Sequence, residues 1–262
     1  MPFTFAHPAA ILPAKYFPKK WISYTALAIG SMTPDFEYFF RMRNLGIYGH
    51  TWTGLFWFDL PIAFILTLIY HAFVKNSLID NLPLMFRQRL SCFKDLNWFG
   101  HLKQNFLSVL ICLIIGIATH ILWDSFTHRT GYFVTHIPWL LKNTEIFGIG
   151  QVRFYILQVV SSSVGLILLF YALFMLPKDK TVGRKNILWY WLTVLCIMVG
   201  IVSLRIYISM HRLPLEHFKD VLTIHFYKSF FNHRSADDFI MTFFSAFLIS
   251  LVLAPLILRK RA

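Results

Sequence analysis

The stretch that decides the fold is NFLSVLICLIIGIATHILWDSFTHRTG, residues 105–131. Its first part, 105–123, is apolar over nearly the ~20 residues that a helix needs to cross a bilayer. No Lys or Arg occurs between Lys103 and Arg129. Near its end His120, Asp124 and His128 recur at every fourth position. Each such step turns a helix by about 40° and advances it by about 6 Å, so His120 and Asp124 offer an imidazole and a carboxylate side by side on one face. His128 would stand about 12 Å along the axis from His120, too far to share one metal on a straight helix. Either the helix ends near Thr130-Gly131 and His128 folds back, or Asp124 bridges two metals about 3.5–4 Å apart. A plain hydrogen-bonded His–Asp pair at a membrane boundary is the bland alternative.

Four further apolar runs flank this one, at about 54–74, 155–177, 187–209 and 239–258. Hydrophobic residues make up 57% of the 262 and charged residues 14%, with 28 Phe, and mean hydropathy is +0.58. Soluble domains hold about 45–50% and about 25%. Such a chain has too little polar surface to cover itself in water and ample apolar surface to bury, which excludes a soluble enzyme and a disordered chain. The expected fold is all-α, a polytopic helical membrane bundle of about five transmembrane helices in a single domain, 1–262. Segment 21–32, short and ended by Thr33-Pro34, reads as a half-buried helix. The stretch 211–234 reads as an interfacial helix with snorkelling basic residues. The start, MPFTFAHPAAILPAKYFPKK, lacks the layout of a removable signal peptide.

The net charge of +13 would suggest nucleic acid in a soluble protein, but here the basic residues lie between apolar runs and serve topology and anionic lipid. No nucleic-acid partner is expected; the bilayer is the partner. Loops 75–104 and 178–186 with the tail carry as many Lys and Arg as 1–53, 124–154 and 210–238 together, on far fewer residues. The dense clusters Lys178, Lys180, Arg184, Lys185 and Arg259-Lys260-Arg261 place that set in the cytoplasm. The N-terminus and the His120–Asp124 end are then outside. The cysteines, Cys92, Cys112 and Cys196, have no paired spacing and indicate neither disulfides nor a thiolate site.

On the same expected outer side fall His7 in FAHPAA, Asp35 and Glu37 in SMTPDFEYFF, and His50 in YGHTWTG. Each has an ordinary structural reading: Thr33 as N-cap and Pro34 at the first helical position would start a helix whose dipole favours Asp35 and Glu37. The clustering of His7, Asp35, His50, His120, Asp124 and His128 on one face argues for ligands instead. His71 and His101 fall on the opposite side, and the histidines of 211–234 belong to the interfacial stretch. No H-E-x-x-H, G-x-S-x-G or P-loop occurs, which disfavours a zinc protease of that class, a nucleophile-elbow hydrolase and an ATPase. No pair of broken apolar segments repeats across two halves, so a transporter gains no support.

The chain resembles a bacterial membrane-protein family of unknown function, domain of unknown function 4184, through PFTFAHPAAILP, ALAIGSMTPDFEYF, GHTWTGLF, HILWDSFTHRTG and LQVVSSSVGL. That family is distantly similar to inner-membrane metal-dependent hydrolases, and through them to the zinc-dependent phospholipase C and P1 nuclease group. The resemblance implies metal-ligand roles for His7, Asp35, His50, His120 and Asp124, joined by His128, and a divalent metal, zinc before manganese or iron. Those hydrolases carry a Thr-His-Ser motif where this chain has Gly-His-Thr. The expected function is a metal-dependent hydrolase of the inner membrane acting on a phosphoester of a lipid or lipid-linked substrate, with Glu37, or Asp35 if it is no ligand, as general base. The rival is a non-catalytic scaffold or small-solute channel whose His/Asp cluster is a structural polar network.

Overall fold

The computed structural model describes residues 3–18, 21–146, 148–211 and 233–258. Most of the expected interfacial helix, residues 212–232, and the Arg259-Lys260-Arg261 cluster lie outside the described residues. The chain is almost wholly helical. A 3₁₀ helix, Thr4–Tyr16, comes first. Then follow α1 (Tyr24–Gly30), α2 (Phe36–Arg41), α3 (Leu55–Asp80), α4 (Leu84–Leu90), α5 (Trp98–Gln104), α6 (Phe106–Thr127) and α7 (Tyr132–His136). A hairpin of β1 (Asn143–Ile146) and β2 (Ile149–Val152) precedes α8 (Arg153–Met175), α9 (Leu188–His211) and α10 (His233–Leu258). Among the described residues five helical stretches are long and apolar enough to cross a membrane: Leu55–Asp80, Phe106–His136, Arg153–Met175, Leu188–Ile208 and Ala236–Leu258. They coincide with the five apolar runs of the sequence. Ile167, Phe170, Leu195, Val199 and Leu204 stay exposed along α8 and α9, the reverse of a helix that faces water. This is a membrane protein.

Packing divides the chain into two compact units. The first comprises Met1–Asp35, Ile47–Leu68 and Asp95–Asp179. Its core runs along α6, where Val109, Leu113, Ile117 and Ile121 pack with Leu27 of α1 and Leu55 of α3. Glycine sets the closeness of α1 and α6. A Cβ on Gly116 would stand 2.4 Å from the Leu27 carbonyl oxygen, and one on Gly30 would stand 2.5 Å from that of Leu113. Backbone therefore touches backbone, as small residues allow between membrane helices. The N-terminal segment coils as a 3₁₀ helix because Pro8 and Pro13 supply no amide proton to an α ladder. It lies on the small-residue face of α8: the Phe3 amide donates to Ser162 Oγ at 3.3 Å. Trp123 Nε1 of α6 donates to Ser161 Oγ at 3.2 Å. The Ser-Ser-Ser-Val-Gly run is thus a docking face. The hairpin, which the sequence reading lacked, pairs Asn143 with Val152 and Ile146 with Ile149; its turn uses Gly148 at φ +77°, open to glycine at no steric cost.

The second unit comprises Phe36–Gly46, Ile69–Lys94 and Lys180–Ala262. Here α9 and α10 pack through Tyr190, Val194 and Met198 against Ala246, Leu251 and Ala254. Ser245 Oγ of α10 lies 2.7 Å from the Phe39 carbonyl of α2. Arg87 of α4 donates to the carbonyls of Asp80 and Gly183, which fixes the loop before α9.

Candidate metal centre

Four local devices carry the six candidate ligands, all within the first unit. Gly116 and Gly30 bring the end of α1 onto α6, so the Ser31 carbonyl accepts the Nδ1–H of His120 at 2.7 Å. That bond holds Nδ1 and leaves Nε2 facing the cluster, the usual outer-shell arrangement of a ligand histidine. Thr33, expected as an N-cap for the next helix, instead donates its hydroxyl back to the Ile29 carbonyl at 2.7 Å, which it shares with the Met32 amide. Asp35 follows in a 3₁₀ turn, Thr33–Asp35, with its Oδ2 accepting from Thr4 Oγ1 at 2.6 Å.

His50 is held beside Asp35 by Gly49, whose added Cβ would stand 2.6 Å from the Pro34 carbonyl oxygen. Thr51 then starts α3, its hydroxyl accepting the Gly54 amide at 2.9 Å. The α6 helix ends at Thr127, and His128 is extended (φ −108°, ψ 143°). The chain turns there, so His128 Nδ1 folds back to 3.2 Å from Asp124 Oδ2. The helix thus ends three residues before Thr130, and His128 folds back towards Asp124.

Asp124 is the hub. Its Oδ2 lies 3.2 Å from Nε2 of His50 and 3.2 Å from Nε2 of His120, and its Oδ1 lies 3.6 Å from Nε2 of His7. Asp35 Oδ1 lies 3.4 Å from His50 Nε2 and 3.7 Å from His120 Nε2. The two histidine nitrogens are 3.2 Å apart. His7 stacks on His120, ring centroids 3.8 Å apart and 20° from parallel. One ligand atom each from Asp35, His50, His120 and Asp124 falls within 4.8 Å of all the others.

Donors about 2.0–2.2 Å from one tetrahedral ion stand about 3.3–3.6 Å from each other, so these spacings fit a shared ion. The satisfaction of the atoms points the same way. Both nitrogens of His7 and of His128, Oδ1 of Asp35 and both oxygens of Asp124 are buried with no well-directed hydrogen bond among the described residues. Native interiors rarely leave such groups unpaired. The four residues can hold a metal ion, with His7 and His128 at its margin.

The electrostatics outside the spans agree. Burial pulls the His7 imidazole down, aided by His120, to about 3, so it is neutral. Burial also acts against a charge on His50, but the carboxylates of Asp124 and Asp35 outweigh it and push His50 up to about 10. Asp35 is lowered although its burial opposes this, because His120 and His50 favour its charge. Two carboxylates thus gather positive charge at His50; a divalent cation meets the same need.

Glu37, the expected general base, belongs to the second unit. It is buried in α2, with Oε1 2.9 Å from Arg41 Nη2. His71 is buried in the second unit as well. The sequence reading missed two groups that orient the cluster, the Thr4 hydroxyl and the Ser31 carbonyl, and did not single out Asp59. Asp59 is fully buried in the π-helical first turn of α3. A lone carboxylate inside an apolar run was its signal.

No curated protein matches the chain, and no solved structure matches it. The arrangement therefore takes its context from one comparison, which covers nearly the whole length: the chain belongs to the family described as Domain of unknown function (DUF4184), matched over residues 1–256.

Proposed function

We propose that this chain is a metal-dependent hydrolase of the bacterial inner (cytoplasmic) membrane, acting on a phosphoester of a lipid or lipid-linked substrate. The observation that carries the reading is the convergence of Asp35, His50, His120 and Asp124 with buried polar atoms that lack well-directed hydrogen bonds. A purely structural network would pair those atoms, since an unsatisfied buried polar group costs about 1–3 kcal/mol. Imidazole and carboxylate donors at these spacings suit zinc first, with manganese and iron sharing the chemistry. Once bound, the metal supplies Lewis-acid activation of water and of a phosphoryl oxygen.

The chain's own groups divide the remaining work. Thr4 and the Ser31 carbonyl orient Asp35 and His120. His50 and His128, with side chains 22% and 26% exposed against 6% or less for Asp35, His120 and Asp124, form the edge that a substrate reaches. His128, which is not one of the four donors, is the group placed to hold or pass a proton there. Of the acidic candidates for a general base, Asp35 lies in the cluster, whereas Glu37 is engaged by Arg41. Trp52, Phe56 and Trp57 are exposed next to His50 in the chain, an aromatic belt of the type found at headgroup level. That supports a substrate drawn from the bilayer, on the outer face by the density of basic loops.

Purified protein loaded with zinc or manganese should hydrolyse a phospholipid or generic phosphodiester, and lose that activity on chelation and in His50→Ala. Absence of turnover by metal-loaded protein across a panel of headgroups would overturn the hydrolase reading.

A further inference from the structure

The second unit contains an open cavity of about 460 Å³, a volume in the range of small-ligand sites. Its polar wall is made by Asn76, Ser77 and Asp80 at the end of α3 and by Lys185 and Asn186 ahead of α9. Its apolar wall includes Phe73, Trp189 and Leu256, all exposed. Three membrane-crossing stretches end around it: Leu55–Asp80 and Ala236–Leu258 with their last turns, and Leu188–Ile208 with its first. The cavity therefore sits where hydrocarbon gives way to headgroups.

Its charge is one-sided. Asp80 is already paired, with Lys94 Nζ at 2.6 Å. Lys185 is exposed and has no ion pair among the described residues. The first-turn amides of the 24-residue α9 add partial positive charge at the same wall. Tyr190 also lines the cavity, its buried hydroxyl beside Ser77 of the same wall. A donor, a cation and a helix start thus converge beside an apolar wall open to the bilayer.

We propose that this cavity binds an anionic glycerophospholipid by its phosphate, with an acyl chain along Trp189 and Leu256. The apolar wall at span ends favours a lipid over a free phosphate. The neutralised Asp80 leaves no partner for a choline or ethanolamine cation, which favours an anionic headgroup over a zwitterionic one.

Native mass spectrometry of the full chain, released from mixed micelles holding equal phosphatidylglycerol and phosphatidylcholine, reads the bound lipid directly. The expected result is one phosphatidylglycerol retained in preference to phosphatidylcholine. Lys185→Gln should weaken retention about fivefold, the weight of one basic residue near an anionic lipid. Lys103→Gln removes the same charge from an exposed position in the first unit and should change nothing. Equal retention of both lipids, or unchanged retention in Lys185→Gln, overturns the proposal. Displacement of the lipid by millimolar inorganic phosphate overturns the assignment to a lipid.

Discussion

The two units differ in how far their buried polar side chains converge. In the second unit several bond singly to the backbone: Lys75 Nζ donates to the carbonyls of Phe93 and Lys94 at 3.0 and 3.2 Å. Arg87 donates to Asp80 and Gly183, Asn81 to Ser77, and Ser250 to Phe247. In the first unit the side chains of His7, Asp35, His50, His120, Asp124 and His128 face one another, and the cluster keeps buried atoms without directed partners. A buried charge answered by carbonyls closes loops and helix ends, and needs nothing more. A group of imidazoles and carboxylates turned inward towards each other needs a cation. Both units contain buried ionisable residues, so burial alone does not separate structure from function. The direction of the polar atoms does.

That contrast can be broken by moving the scaffold. Gly116→Val puts a side chain into the Leu27 carbonyl, 2.4 Å from the new Cβ. It should destabilise the protein by about 3 kcal/mol in thermal or denaturant unfolding, and it should lower metal content by pulling Ser31 from His120. Gly200→Val, where an added Cβ meets nothing within 4 Å, should leave metal content unchanged. Loss of stability with full metal retention in Gly116→Val would separate the helix contact from the cluster.

A change in the second unit sharpens the contrast. Lys75→Met leaves the Phe93 and Lys94 carbonyls without their donor and should cost about 1–3 kcal/mol, with metal content intact. Metal loss in this variant would mean that the two sets of polar groups are not separate. The smallest effect is expected from Trp191→Phe, which removes the 2.7 Å bond from Nε1 to the Asn81 carbonyl. About 1 kcal/mol of stability should go, and bound metal should stay.

The spans were legible because each is a run of apolar residues as long as a bilayer is thick. The cluster was legible in outline because the expected topology gathers His7, Asp35, His50 and the end of α6 on one face. What held these side chains in place was not. The Ser31 carbonyl is a backbone group that any residue carries, so no letter in the sequence marks it as the partner of His120. Gly30 and Gly116 read as unremarkable until the helices they join are seen to touch. Thr33 fitted an N-cap by spacing, yet its hydroxyl bonds backwards to the Ile29 carbonyl at the end of α1. Asp59 was the one omission with a plain signal, a carboxylate inside an apolar run.

The central claim is that the inward-facing cluster holds a metal ion. Elemental analysis of detergent-purified wild type and Asp124→Asn, each replenished with zinc or manganese and freed of excess ion, tests it most directly. Asn keeps the size of the side chain and one acceptor oxygen but removes the charge from the residue on which His7, His50, His120 and His128 converge. Wild type should carry stoichiometric metal and Asp124→Asn should hold it at least 10–100-fold more weakly, since even outer-shell changes cost about that much. Wild type without stoichiometric metal, or equal binding by the two proteins, would contradict the claim.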